Sequence, residues 1–96
     1  MNSPTFEKDE AVLRTEAREA DGCRYRYRLL FSQDEQPHGQ YTVEVSFESE
    51  DGHASTRACA LPVVHTEAAV RLFGYLTKHL VTPIDLPYVL EDCITV

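Results

Sequence analysis

Cys23-Arg24-Tyr25-Arg26-Tyr27-Arg28-Leu29-Leu30-Phe31 is the stretch that decides the fold. Cys23, Tyr25, Tyr27, Leu29 and Phe31 share one parity; Arg24, Arg26, Arg28 and Leu30 share the other. A β-strand sends successive side chains to opposite faces, so this alternation predicts a strand with one apolar, buried face and one basic, wet face. Residues 41–48 repeat the pattern, with Tyr41, Val43, Val45 and Phe47 inward and Thr42, Glu44, Ser46 and Glu48 outward. Residues 32–40, with Pro37 and His38-Gly39, form the connecting loop. Asp51-Gly52 predicts a tight hairpin in which both central residues take positive φ. The strand after it, residues 53–61, is expected to turn Ala54, Thr56, Ala58 and Ala60 inward, where small side chains admit a helix, and Ser55, Arg57, Cys59 and Leu61 outward.

Placing Phe31 opposite Tyr41 and Glu50 opposite His53 gives one register that suits both faces. Outside, Arg28 meets Glu44, Arg24 meets Glu48, and Arg57 lies beside Ser46. Inside, Leu29 meets Val43 and Ala60, and Tyr27 meets Val45 and Ala58. Upstream, residues 11–19 have a helix-favouring composition. Ala20-Asp21-Gly22, however, is a hairpin turn leading straight into the strong strand, so residues 11–19 are expected to be an edge strand. Downstream, Ala69, Val70, Phe73, Leu76 and Leu80 recur at helical spacing. They predict a helix over 66–80 with Thr66 as its N-cap, Glu67 in its first turn and Gly74 at a close packing contact. Thr82-Pro83-Ile84-Asp85 is a second helix start. Pro87 then requires the helix to begin at Asp85 or to have an irregular first turn. Leu86, Val89, Leu90, Cys93 and Ile94 form its apolar face. The reading is a single α+β domain over residues 11–96, after a flexible N-terminus at 1–10. Its sheet is an antiparallel meander of three to four strands with two C-terminal helices packed on one face. Tyr27, Val45, Phe47, Phe73, Leu76 and Leu90 are expected in one core.

The chain has 96 residues, enough for one domain. Its apolar (43%) and charged (26%) fractions are those of a globular protein and argue against global disorder. A net charge of −7 repels phosphate backbones, which argues against nonspecific binding to nucleic acid or to anionic membranes. Cys23, Cys59 and Cys93 are odd in number and widely spaced, and no CxxC occurs. They read as free thiols in a reducing compartment, with the cytoplasm the expected location. Residues 1–10 carry no apolar run of the signal-peptide kind, and no stretch reaches the roughly 18 apolar residues of a membrane span.

Tyr25-Arg26-Tyr27-Arg28-Leu29-Leu30, Tyr41-Thr42-Val43-Glu44-Val45, Val81-Thr82-Pro83-Ile84-Asp85-Leu86 and Val89-Leu90-Glu91-Asp92 together resemble a small protein family of clostridial Firmicutes. That family is catalogued as a domain of unknown function. The resemblance runs from about residue 11 to the C-terminus and implies the order strand–strand–strand–strand–helix–helix. The chain departs from the family at Pro87, where a helix-friendly residue is expected, and in the length of the 32–40 loop. The resemblance carries over no functional residues.

No catalytic, cofactor or metal motif stands out. His38, His53, His65 and His79 are scattered, and Cys and His do not recur at ligand spacings. Cys59 with His65 would need a base in hydrogen-bond reach and a lowered thiol pKa to act as a nucleophile. A structural cysteine is the simpler reading. Glu50-Asp51 with His53 reads as a solvated turn rather than a calcium loop. The suggestive feature is the stripe Arg24, Arg26, Arg28 and Arg57. Cross-strand pairing with Glu44, Glu48 and Glu16 accounts for much of it; the functional alternative is a docking surface for an acidic partner. The tyrosines share the buried face and cannot stack on bases, which disfavours single-stranded nucleic acid. Leu30, Thr42 and Leu61 are expected together at one end of the outer face, either simply exposed or covered by the N-terminal segment through Phe6 or by a second copy. The expectation is a noncatalytic protein-interaction module, a homodimer or small adaptor, with Arg24, Arg26, Arg28, Arg57, Leu30 and Leu61 as its face. No cofactor, metal, membrane or nucleic-acid partner is expected. The rival is an enzyme or small-ligand-binding domain without a recognisable motif, which a deep polar pocket of convergent His or Cys groups would favour.

Overall fold

A computed structural model describes residues 10–33 and 39–94 of the chain. The elements are β1 (Glu10–Ala20), β2 (Cys23–Ser32), β3 (Gln40–Glu48), β4 (Ala54–Ala60), α1 (Thr66–Lys78) and α2 (Leu86–Ile94). The four strands form an antiparallel meander in the order β1-β2-β3-β4. With the two helices this is the expected α+β fold. The expectations for residues 1–9, including Phe6, and for Pro37 and His38 fall outside the described residues.

The turn overrides the helical composition of residues 11–19. Asp21 (φ 52°) and Gly22 (φ 77°) are both left-handed, the signature of a two-residue turn whose twist matches its strands. It sets Ala20 opposite Cys23 and makes β1 an edge strand. A bulge between Val12 and Arg14 leaves Leu13 as the extra residue, and Leu13 packs against the core.

The β2–β3 register is the expected one: Arg28 opposite Glu44, Arg24 opposite Glu48, Phe31 opposite Tyr41. The β3–β4 register is not. Val43 faces Cys59 and Val45 faces Arg57, one residue away from the expected Ala60 and Ala58. The hairpin turn is the cause. Gly52 is left-handed (φ 95°), whereas Asp51 is not among the residues with positive φ. The Gly52 amide donates to the Ser49 carbonyl (3.1 Å), and the Ser49 amide donates to the His53 carbonyl (2.7 Å). This is a three-residue loop with a bulge at glycine, and it pairs Ser49 rather than Glu50 with His53. The Ser49 hydroxyl holds the loop, accepting from the His53 amide (3.1 Å) and donating to Asp51 Oδ1. Ala54, Thr56, Ala58 and Ala60 therefore face outward, and Ser55, Arg57 and Cys59 face the helices.

The core lies between the sheet and both helices. Tyr27, Leu29, Val43 and Val45 meet Ala69, Phe73 and Leu76 of α1 and Leu86 and Leu90 of α2. Phe47, expected among them, is half-buried and packs edge-on against Tyr25 (centroids 5.2 Å apart). It sits next to the hairpin end of β3, outside the buried cluster.

The N-cap of α1 is His65, not Thr66, whose hydroxyl bonds instead to the Tyr41 hydroxyl. The helix ends two residues earlier than its apolar spacing suggests. Leu80 turns left-handed (φ 50°), its amide donates to the Thr77 carbonyl (3.3 Å), and the Val81 amide donates to the Leu76 carbonyl (3.2 Å). This closing motif usually uses glycine. Thr82 caps the next turn: its hydroxyl accepts from the Asp85 amide (3.3 Å) and donates to Asp85 Oδ2 (3.1 Å). Pro87 falls in the first turn of α2, where a missing amide leaves no helical bond unmade. Gly74 does not mark a close contact. It is exposed, and a Cβ there meets nothing within 4 Å. Gly74→Ala is therefore expected to raise stability by about 1 kcal/mol, read as a higher urea midpoint with unchanged slope.

Candidate interaction face

The sheet face away from the helices is built by alternate residues of all four strands. The register sets Thr15, Arg28, Glu44 and Ala58 in one row, Ala17, Arg26, Ser46 and Thr56 in the next, and Glu19, Arg24, Glu48 and Ala54 in a third. Apart from Glu19 on β1, the long charged chains occupy the two inner strands, β2 and β3. Small residues occupy the strand edges.

The arginines differ in their surroundings. Arg28 Nε–H donates to Glu44 Oε1 at 2.8 Å, a part-exposed pair of modest worth, at most about 1 kcal/mol. Arg24 has Glu19 and Glu48 directly opposite on its two neighbours, without an ion-pair contact to either. Arg26 has Ala17 and Ser46 opposite, and it too makes no ion pair among the described residues. Thr56 donates to Ser46 across the same row (3.1 Å). Where the side chains are short there is a hollow of about 580 Å³, lined by Ala17, Glu19, Arg24, Arg26, Ser46, Glu48, Ala54 and Thr56 of this face together with Arg18, Tyr25, Phe47 and Ser55 of the other parity.

Two residues expected on this face are elsewhere. The one-residue shift of β4 carries Arg57 to the helix side, opposite Val45, where it is exposed at the sheet edge. Leu61 moves with it into the core, 3% exposed, its amide donating to the Tyr41 carbonyl (2.8 Å). Leu30 stays on the outer face, buried, opposite Val12 and Thr42. The expected pair of outer leucines is not formed. The residues missed by sequence reasoning are the small ones, Ala17, Ser46, Ala54 and Thr56. For the two in β4 the signal was the run of alanines, assigned to the wrong face.

The other candidate chemistry stays dispersed. His53 is exposed in the β3–β4 turn, its Nδ1 3.1 Å from Asp51 Oδ1. Hydrogen bonds from Ser49 and then His53 hold the Asp51 carboxyl below its usual pKa. His79 leans on the Tyr75 ring at the end of α1 (centroids 4.3 Å apart). Cys23, Cys59 and Cys93 are free thiols. Among the described residues, no three His, Cys, Asp or Glu side chains gather where they could hold a metal ion. A smaller apolar hollow of about 240 Å³ lies on the helix side, between Phe47 and Ala54 of the hairpin and Pro83 and Ile84. No helix among the described residues is long and apolar enough to cross a membrane.

Fold and face together define a small α+β domain that presents a helix-free, mixed-charge sheet surface. A family model described as a family of unknown function, DUF6514, matches residues 8–96, and the chain belongs to that family. Neither the curated proteins nor the solved structures give a match.

Proposed function

We propose that the chain is a noncatalytic protein-interaction module, a small adaptor that docks an acidic segment of a protein partner on its outer sheet face. The observation that carries this reading is Arg26. It borders the 580 Å³ hollow, has only Ala17 and Ser46 directly opposite, and makes no ion pair among the described residues. A partner carboxylate entering the hollow meets a guanidinium that can bind it through two parallel hydrogen bonds. Arg24 adds a second cation one row away, and the small side chains leave the room. Among the described residues no His or Cys side chain lines the hollow, which favours docking over the rival reading of an enzyme or ligand site. The same proposal places the protein in the cytoplasm of clostridial cells, where three free thiols stay reduced. It includes no membrane or nucleic-acid partner, in keeping with a net charge of −7.

Arg26→Ser tests it, with Arg57→Ser as the control because Arg57 lies on the opposite face. Each substitution is expected to change stability by less than about 1 kcal/mol, since both side chains are exposed and make no ion pair among the described residues. Arg26→Ser should abolish capture of the partner recovered by the wild-type protein from native extract, and Arg57→Ser should leave capture intact. Equal capture by all three folded proteins rules the face out.

A further inference from the structure

We infer that the free edge of β1 pairs with β1 of a second copy, around a two-fold axis at Ala17, to make a continuous eight-stranded sheet. This goes beyond the docking of an acidic segment, because it uses the edge of the sheet and not its outer face. A two-residue turn makes Ala20 and Cys23 its closing hydrogen-bonded pair. Hydrogen-bonded and non-bonded positions alternate along an antiparallel ladder, so Arg18, Glu16 and Arg14 also aim their amides at β2. Thr15, Ala17 and Glu19 then aim theirs outward. β1 is exposed over nearly all of its 11 residues, so this row of donors and acceptors meets no strand among the described residues. Such an edge is a template for a further strand.

Charge selects the partner and the register. Glu16 and Arg18 share one side of β1, opposite Tyr27 and Tyr25, and neither has an ion pair among the described residues. Two copies can meet antiparallel with the axis at Thr15, Glu16 or Ala17. An axis at Glu16 opposes Glu16 to itself and Arg14 to Arg18, which is repulsive on every charged pair. An axis at Thr15 draws in the bulge at Leu13. An axis at Ala17 uses the regular segment 14–20 alone. It sets Glu16 of each copy opposite Arg18 of the other, Thr15 opposite Glu19, and the two small Ala17 side chains against each other. Thr15, Ala17 and Glu19 then exchange the outward hydrogen bonds. Opposite charges directly across an antiparallel pair are favourable and like charges unfavourable, so β1 is complementary to itself. The other edge strand, β4, carries a single charge, Arg57, and has no such pattern.

Sedimentation equilibrium of the full chain over about 10–300 μM tests this. The wild type is expected to dimerise. Glu16→Arg and Arg18→Glu should each weaken the dimer by at least about tenfold, because two attractive pairs become repulsive. The double reversal should restore it, because the pairs reform with signs exchanged. An axis at Thr15 would not be rescued, since Arg14 would then face an arginine at position 16. Ala17→Pro should give a monomer with the wild-type far-UV spectrum, because proline is tolerated on an edge where its missing amide faces solvent. A wild type that is monomeric throughout, a dimer indifferent to the single reversals, or a double reversal as weak as the singles overturns the proposal. All these variants keep Arg24 and Arg26, so their failure leaves the outer-face reading standing.

Discussion

Phe73→Ala is expected to lower the unfolding free energy by about 3–5 kcal/mol. Phe73 is 4% exposed and lies on the face of α1 that meets Tyr27, Leu29, Val43 and Val45. Truncation removes the burial of an aromatic ring and leaves a cavity that a rigid sheet closes only in part. Domains of this size are stabilised by about 5–15 kcal/mol in total, so a loss on this scale brings the chain close to unfolding. It corresponds to at least about 12 °C in Tm for a chain of this length. Val45→Ala attacks the same core from the sheet, with an expected loss of about 2–4 kcal/mol. Urea titrations with unchanged slopes and lowered midpoints are the measurement. Midpoints unmoved by both substitutions would remove α1 from its assigned face.

The contrast between β3 and β4 shows what residue patterns can and cannot decide. β2 and β3 each carry large apolar side chains on one parity and charges on the other. A slip by one residue would bury arginine and glutamate together, so only one register was open. β4 has no such conflict. Ala54, Ala58 and Ala60 are small enough for either face, and Asp51-Gly52 fits two hairpin loops whose registers differ by one. The choice rests on hydrogen bonds of the Ser49 hydroxyl to His53 and Asp51, which propensity does not weigh. Leu61 held the missing information: as the large apolar residue at the end of that strand it belonged in the core, and requiring this would have moved Arg57 to the helix side. The arginine stripe was thus legible in β2, where the alternation is strong, and illegible in β4. The ends of α1 were hidden for another reason. Nothing in the composition of residues 66–80 shows that Leu80 adopts a backbone conformation usually left to glycine. That follows from the tertiary position of Val81, whose carbonyl accepts from the Tyr27 hydroxyl at 3.0 Å.

Tyr27, the donor of that hydrogen bond, carries the second large effect, a fall in stability in alkali. Tyr27 is fully buried. Burial, with a smaller contribution from Tyr25 and against a pull from Arg18, pushes its phenol from 10 up to about 12. The unfolded chain therefore releases the Tyr27 proton first, and between these values the folded state binds more protons. Stability must then fall as pH rises. The contribution is complete below the unfolded pKa and is lost as pH climbs through the folded one. Moving the phenol from 10 to about 12 corresponds to about 2.7 kcal/mol. Tyr27→Phe separates this group from the other tyrosines and from lysine. Near neutral pH it should cost about 1–2 kcal/mol, because the Val81 carbonyl loses its buried partner. Above about pH 10 the variant should decline less steeply than the wild type, since it has no phenol to ionise at that position. The gap between their urea midpoints should narrow and can reverse by about pH 12. Parallel profiles over that range would show that burial does not raise the Tyr27 phenol, and no loss of stability at neutral pH would show that its hydroxyl does not hold the Val81 carbonyl.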